Sequence, residues 1–158
     1  MLFSDLITSK TRIKILALFL DNPNDMFHVR EVVRRVDEEI NAVRRELIHL
    51  EKKGILKREP RANRVYYYLD KNYPHFFDLL SIQAKNAGLG ADIIKNRIRL
   101  GKIKFAMLSG KFARGIRDNP EEVDLLVVGA VVLPELSLLI KGEEEKRKHE
   151  INYTVMTE

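Results

Sequence analysis

The sequence predicts an α+β protein divided into two small domains, residues 1–86 and 87–158, and three observations predict it. The first is an amphipathic helical stretch over residues 37–54, DEEINAVRRELIHLEKKG, with two helical stretches before it. The second is a β-rich hairpin that follows at once, over residues 55–69. The third is the second half of the chain, where runs of valine, leucine and isoleucine alternate with helical stretches. A chain of 158 residues suffices for two small domains.

Within residues 37–54, Ile40, Val43, Leu47 and Leu50 recur at spacings of three and four, which places them on one helical face. Asn41, Arg44, Arg45, His49 and Lys52 fall on the other. Asp37 or Glu38 is expected to cap the first turn, and Gly54 to stop the last. One side then packs into a small domain. The other offers a row of hydrogen-bond donors suited to the major groove of duplex DNA.

Upstream, residues 6–20 read as a first helix with Ile7, Ile13, Leu16, Ala17 and Leu20 as its apolar stripe. DNPN at residues 21–24 is turn chemistry. Phe27, Val29, Val32, Val33 and Val36 predict a second helix, with Arg30, Arg34 and Arg35 outside. Two short helices at a tight turn, the second with a basic exposed face, make the helix-turn-helix pattern. Residues 55–59 then predict a strand, residues 60–64 (PRANR) a hairpin tip, and residues 65–69 (VYYYL) the return strand. A basic hairpin directly after a recognition helix is a wing, placed to meet the sugar-phosphate backbone.

The run FHVREVVRRVDEEINAVRRELIHLEKKGILKREPRANRVYYYLD resembles the winged-helix DNA-binding domains of the arsenic-repressor-like type, over about the first half of the chain. The resemblance implies double-stranded DNA as partner. It places Asn41, Arg44 and Arg45 at base edges, where arginine suits guanine and asparagine suits adenine. Arg30, Lys52, Arg58, Arg61 and Arg64 then become phosphate contacts. Glu39 and Glu46 are expected as surface ion-pair partners. Some members of that group sense metals through cysteines. This chain has none, and His28, His49, His75 and His149 lack ligand spacing, so no metal is expected there. A trailing helix over residues 73–85, with Phe76, Phe77, Leu79, Leu80 and Ile82, is too apolar to stand alone. It implies a homodimer packed through this helix and the first, on half-sites about 10 bp apart or a multiple of that.

In the second half, residues 87–90 (AGLG) read as a linker and residues 91–100 as a basic helix closed by Gly101. Strands are expected at 103–108, 123–129 and 150–157. A helix at 133–148 is expected to break at Gly142, with its charge run EEEKRKHE as a solvated face. This order resembles the nucleotidyltransferase superfamily in its minimal form. The family signature is Gly-Ser after a strand, then Ala-Arg-Gly, then Asp-x-Asp beside a valine-rich strand, with a third carboxylate on a neighbouring strand. Two carboxylates at i and i+2 on a strand face the same way and can hold metal ions.

Gly110, Phe112, Ala113, Arg114 and Gly115 match that signature, and Asp124 matches its second aspartate. Lys111 replaces the phosphate-binding serine, Glu122 the first aspartate and Asn152 the third carboxylate, although Glu150 lies on the same strand face. An Asp-to-Glu change moves a metal ligand further than such sites tolerate, and an amide cannot act as a base. The resemblance thus implies an inactive domain, with no assured catalytic or metal residue and no cofactor expected. Were it active, Glu122 and Asp124 would hold Mg²⁺ and a nucleotide would be bound.

Zero cysteines exclude disulfides, thiolate metal sites and cysteine nucleophiles. A net charge of +5 and a pI near 9.4 favour polyanionic partners. The longest apolar run, residues 125–133, is too short to cross a bilayer, and the N-terminal stretch lacks a signal layout, so a cytoplasmic protein is expected. Together these features predict a sequence-specific, homodimeric DNA-binding transcriptional regulator with a sensory or interaction domain. Two alternatives stand beside it: an enzyme that transfers a nucleoside monophosphate, and an antitoxin-like protein that pairs with a helical partner.

Overall fold

The structure, a computed structural model, describes residues 7–113 and 121–157. The first helix among the described residues starts where a side chain can cap it. Ser9 Oγ accepts the Arg12 N–H at 3.2 Å, so α1 runs Lys10–Asp21, and residues 7–9, expected within it, lie outside. Ile15, Leu16, Phe19 and Leu20 bury its inner face.

Phe27 and His28 are not helical. They form a two-residue strand, β1 (Phe27–His28), because Phe27 pairs with Tyr67 and packs edge-on against Phe19, ring centroids 5.3 Å apart. His28 then caps α2 (Val29–Val36), its Nδ1 accepting the Glu31 N–H at 3.3 Å. Asp37 ends α2 in the left-handed conformation, φ 51°, which a short polar side chain tolerates. The long amphipathic helix, α3 (Ile40–Lys52), is capped by neither Asp37 nor Glu38 but by Glu39. That carboxylate accepts the N–H groups of Asn41 at 2.8 Å and Ala42 at 3.0 Å. Val43, Leu47 and Leu50 are fully buried. At the far end Gly54 takes φ 76° and donates to the Glu51 carbonyl, while Ile55 donates to Leu50. Those paired bonds are a Schellman stop, and the positive φ is why glycine stands there.

Strands β2 (Leu56–Arg61) and β3 (Arg64–Leu69) pair from Leu56↔Leu69 out to Arg61↔Arg64. The hairpin turn is therefore only Ala62 and Asn63, with Ala62 at φ 51°, and Pro60, Arg61 and Arg64 are strand residues, not tip residues. Pro60 is accommodated because the sheet order β1-β3-β2 leaves β2 on an edge. Helix α4 (Phe76–Asn86) follows, with Phe76, Leu80 and Gln83 buried and Phe77 exposed.

The expected linker at residues 87–90 is instead the start of α5 (Gly88–Lys95). Then come β4 (Gly101–Leu108), the short α6 (Gly110–Ala113), β5 (Leu125–Val131), α7 (Leu133–Arg147) and β6 (Tyr153–Met156). The sheet order is β4-β5-β6, with β4 antiparallel and β6 parallel to β5. Helix α7 supplies the crossover that a parallel pair needs. It passes through Gly142 unbroken. Its charge run is not wholly solvated either, since Glu143 is buried and Glu144 accepts the Ile151 N–H at 2.8 Å.

The result is a mixed α+β chain of two compact units, Met1–Gln83 and Ala84–Glu158. Phe19, Val43, Leu47 and Leu56 centre the first core, and Leu89, Leu125, Val127 and Leu136 the second. Among the described residues, no helix is long and apolar enough to cross a membrane.

Candidate nucleic-acid interface

Two carboxylates fix how α3 is presented. Glu46, halfway along it, receives Ser9 Oγ at 2.7 Å and Arg12 Nε at 2.7 Å. Burial pushes the Glu46 carboxyl up, but the hydrogen bonds from Arg12 and Ser9 outweigh it and hold the group below its ordinary value. Glu38, in the turn before α3, receives Lys14 Nζ at 2.6 Å and Thr11 Oγ1 at 3.1 Å, and those bonds hold it low as well. Both ties run to α1. Glu46 is thus an anchor between two helices, and Glu39 is a helix cap held low by the Asn41 and Ala42 N–H groups. Neither is merely a surface ion-pair partner.

The opposite side of α3 is open. Asn41, Arg44, Arg45 and Lys52 are exposed, and His49 is half-buried. Ile48 stands among them at 42% exposure. It is a residue that the sequence reading passed over, although its spacing from Arg44, Arg45 and Lys52 (four, three and four) puts it on their face. Beside this row lies a concavity of about 350 Å³ lined by His28, Val29, Arg30, Arg44, Asn63, Arg64 and Val65. Three arginines therefore converge from three elements: Arg30 from the first turn of α2, Arg44 from α3 and Arg64 from the start of β3. Three arginines lining one hollow beside α3 make that side of the unit positively charged.

The expected contact residues differ in what else they hold. Arg58 Nε lies 2.9 Å from Glu51, and Arg61 Nε lies 2.7 Å from Glu59. Glu59 raises the pKa of Arg61, whose guanidinium also sits 5.9 Å from the Tyr66 ring. Among the described residues, Arg30, Arg44, Arg45, Lys52 and Arg64 form no ion pair within 4 Å.

The second unit brings together most of its expected residues. Lys111 Nζ pairs with Glu122 Oε1 at 2.7 Å. Asp124 Oδ2 accepts the Asn152 N–H at 3.1 Å, and Asn152 Nδ2 donates to the Glu122 carbonyl at 3.3 Å. The Ser109 N–H donates to the Asp124 carbonyl at 2.8 Å, and Ser109 Oγ accepts the Phe112 N–H at 2.9 Å at the start of α6, where Gly110 is the first residue. Arg114 and Gly115 lie outside the described residues. Among those described, no group of three or more His, Asp or Glu side chains is placed to hold a metal ion.

No family model matches this chain, and no curated protein matches it. Among solved structures it is similar to reduced HlyU from Vibrio cholerae, at 18% identity and TM-score 0.38, over 63% of this chain and 86% of that one. It is similar to Rv0081 from M. tuberculosis at 22% identity and TM-score 0.43, over 61% and 89%. A mutant MarR from E. coli is similar at 22% identity and TM-score 0.39, over 62% and 78%.

Proposed function

We propose that the chain is a sequence-specific DNA-binding transcriptional regulator whose first unit binds duplex DNA as a winged helix. On this reading α3 enters the major groove and the β2–β3 hairpin is the wing. The observation that carries it is the convergence of Arg30, Arg44 and Arg64 on one hollow beside the exposed row Asn41, Arg44, Arg45 and Lys52. Asn41, Arg44 and Arg45 read base edges. Arg30, Lys52 and Arg64 hold phosphates, joined by Arg58 and Arg61 once their surface ion pairs open, which costs little. The chain acts as a homodimer through α1 and α4, a role that the exposed Phe77 supports.

Selection of bound fragments from genomic DNA tests the reading. One sequence class should be enriched. Arg44→Ala should then weaken binding by about 1–3 kcal/mol and relax the preference, whereas Arg64→Ala should weaken all sequences alike and reduce the salt slope by about 1. Equal affinity of the unaltered protein for selected and scrambled DNA would count decisively against it.

The second unit serves on this reading as an inactive nucleotidyltransferase-like module for sensing or protein contact. The replacements support inactivity: Glu122 stands where the family's first aspartate would be, Asn152 where its third carboxylate would be, and an amide cannot act as a base. A second reading, nucleoside monophosphate transfer with Mg²⁺ on Glu122 and Asp124, is favoured by the clustering of those same residues. Label transfer from a labelled nucleotide, abolished in Asp124→Ala, would establish it over the first.

A further inference from the structure

We propose that Ile48 is a specificity residue that packs against the C5 methyl group of a thymine in the major groove. The inference rests on the DNA-binding reading and adds the base identity that the arginines leave open. Ile48 is a large apolar side chain at 42% exposure in the middle of an otherwise basic face. The protein's own packing does not explain it. Val43, Leu47 and Leu50 already fill the inner side of α3 and are at most 1% exposed. Ile48 belongs neither to the buried residues of that core nor to the partly buried ones against it. A β-branched residue at a solvent-facing helix position is also a poorer helix former than lysine, glutamate or alanine. The position therefore leaves part of an apolar side chain in water at some cost in helix propensity, on the face that carries Arg44, Arg45 and Lys52.

The geometry names the target. On a helix, Ile48 is four residues beyond Arg44, about 6 Å along the axis, and shares its face. With α3 in the groove, a side chain on that face meets a base pair near the one Arg44 contacts. In the major groove every base pair offers donors and acceptors, but only thymine offers an apolar group at its edge. An isoleucine there finds no hydrogen-bond partner and is favoured only where a methyl group excludes water with it.

Uracil substitution tests this on the full chain, because deoxyuridine keeps every hydrogen-bonding group of thymine and lacks only the methyl. In the selected DNA each thymine is replaced singly. One position per half-site should lose about fourfold in affinity, the effect of one buried methyl group. In Ile48→Ala, which retains a good helix former, that position should become indifferent while all others behave as before. Ile48→Val should keep most of the effect. Selective binding with no uracil-sensitive position, or a sensitivity that survives in Ile48→Ala, overturns the proposal alone and leaves the exposed isoleucine to a protein contact. Absence of any selective binding removes the underlying reading, and the proposal with it.

Discussion

Glu143 is the residue most at odds with its sequence neighbourhood. It sits at 3% exposure inside a run of charges. Arg147 Nε holds one oxygen at 2.7 Å, and Lys146 Nζ lies 3.6 Å from the other. Arg147 in turn lies over the Phe112 ring at 4.2 Å. Gly88, at the start of α5 with φ 58°, makes room for this carboxylate, for a Cβ there would come within 2.6 Å of Glu143 Oε1. Gly88→Ala should therefore destabilise the second unit by at least about 1–2 kcal/mol, the cost of left-handed backbone alone. Gly142, one residue before Glu143, should respond with the opposite sign. Nothing lies within 4 Å of a Cβ built there, and the helix is regular. Gly142→Ala should raise stability by about 0.5–1 kcal/mol in urea unfolding. A loss of stability in Gly142→Ala would contradict the unbroken α7. Neither glycine was legible from composition: EEEKRKHE does not say which glutamate turns inward, and a helical glycine looks the same whether it breaks the helix or merely weakens it.

Elements were legible in proportion to how local their causes are. The three-and-four spacing of Val43, Leu47 and Leu50 and the Gly54 stop are written within α3 itself, and both the helix and its outer face can be read there. β1 could not be read so. Phe27 and His28 are extended only because Tyr67 and Tyr66, forty and thirty-eight residues later, pair with them. The anchoring of α3 is equally non-local, since Glu46 meets Ser9 and Arg12 across more than thirty residues. That anchor has a pH signature. Its carboxyl lies below the ordinary value of 4.5, so its stabilisation is complete above that value and is lost as the pH falls through the lower, folded value. Thermal unfolding followed between pH 7 and pH 3 should show the melting temperature falling in the acid range. Glu46→Gln should be less stable at pH 7 by about 1.5–3 kcal/mol, as for a hydrogen bond to a charged group, and its acid slope should be shallower. Parallel slopes for the two proteins would mean that other carboxylates carry the acid response.

At the scale of the whole molecule, the two hydrophobic cores share no residue. Each unit buries its own fully enclosed leucines, Leu47 and Leu50 in the first, Leu89, Leu125 and Leu136 in the second. Cavity formation is local in its cost, so truncating a core leucine should weaken the unit that contains it by about 2–5 kcal/mol. Hydrogen exchange resolves this along the chain. Leu47→Ala should speed exchange in α1, α3 and β3, leaving β5 and α7 protected as before. Leu125→Ala should do the reverse, and it should also leave DNA affinity within about twofold if binding resides in the first unit, since variants that share no partners act independently. Loss of protection throughout the chain in both variants would show one cooperative structure in place of two. Loss of DNA binding in Leu125→Ala, with α3 still protected, would show that the second unit takes part in recognition, and would move the interface beyond α3 and its hairpin.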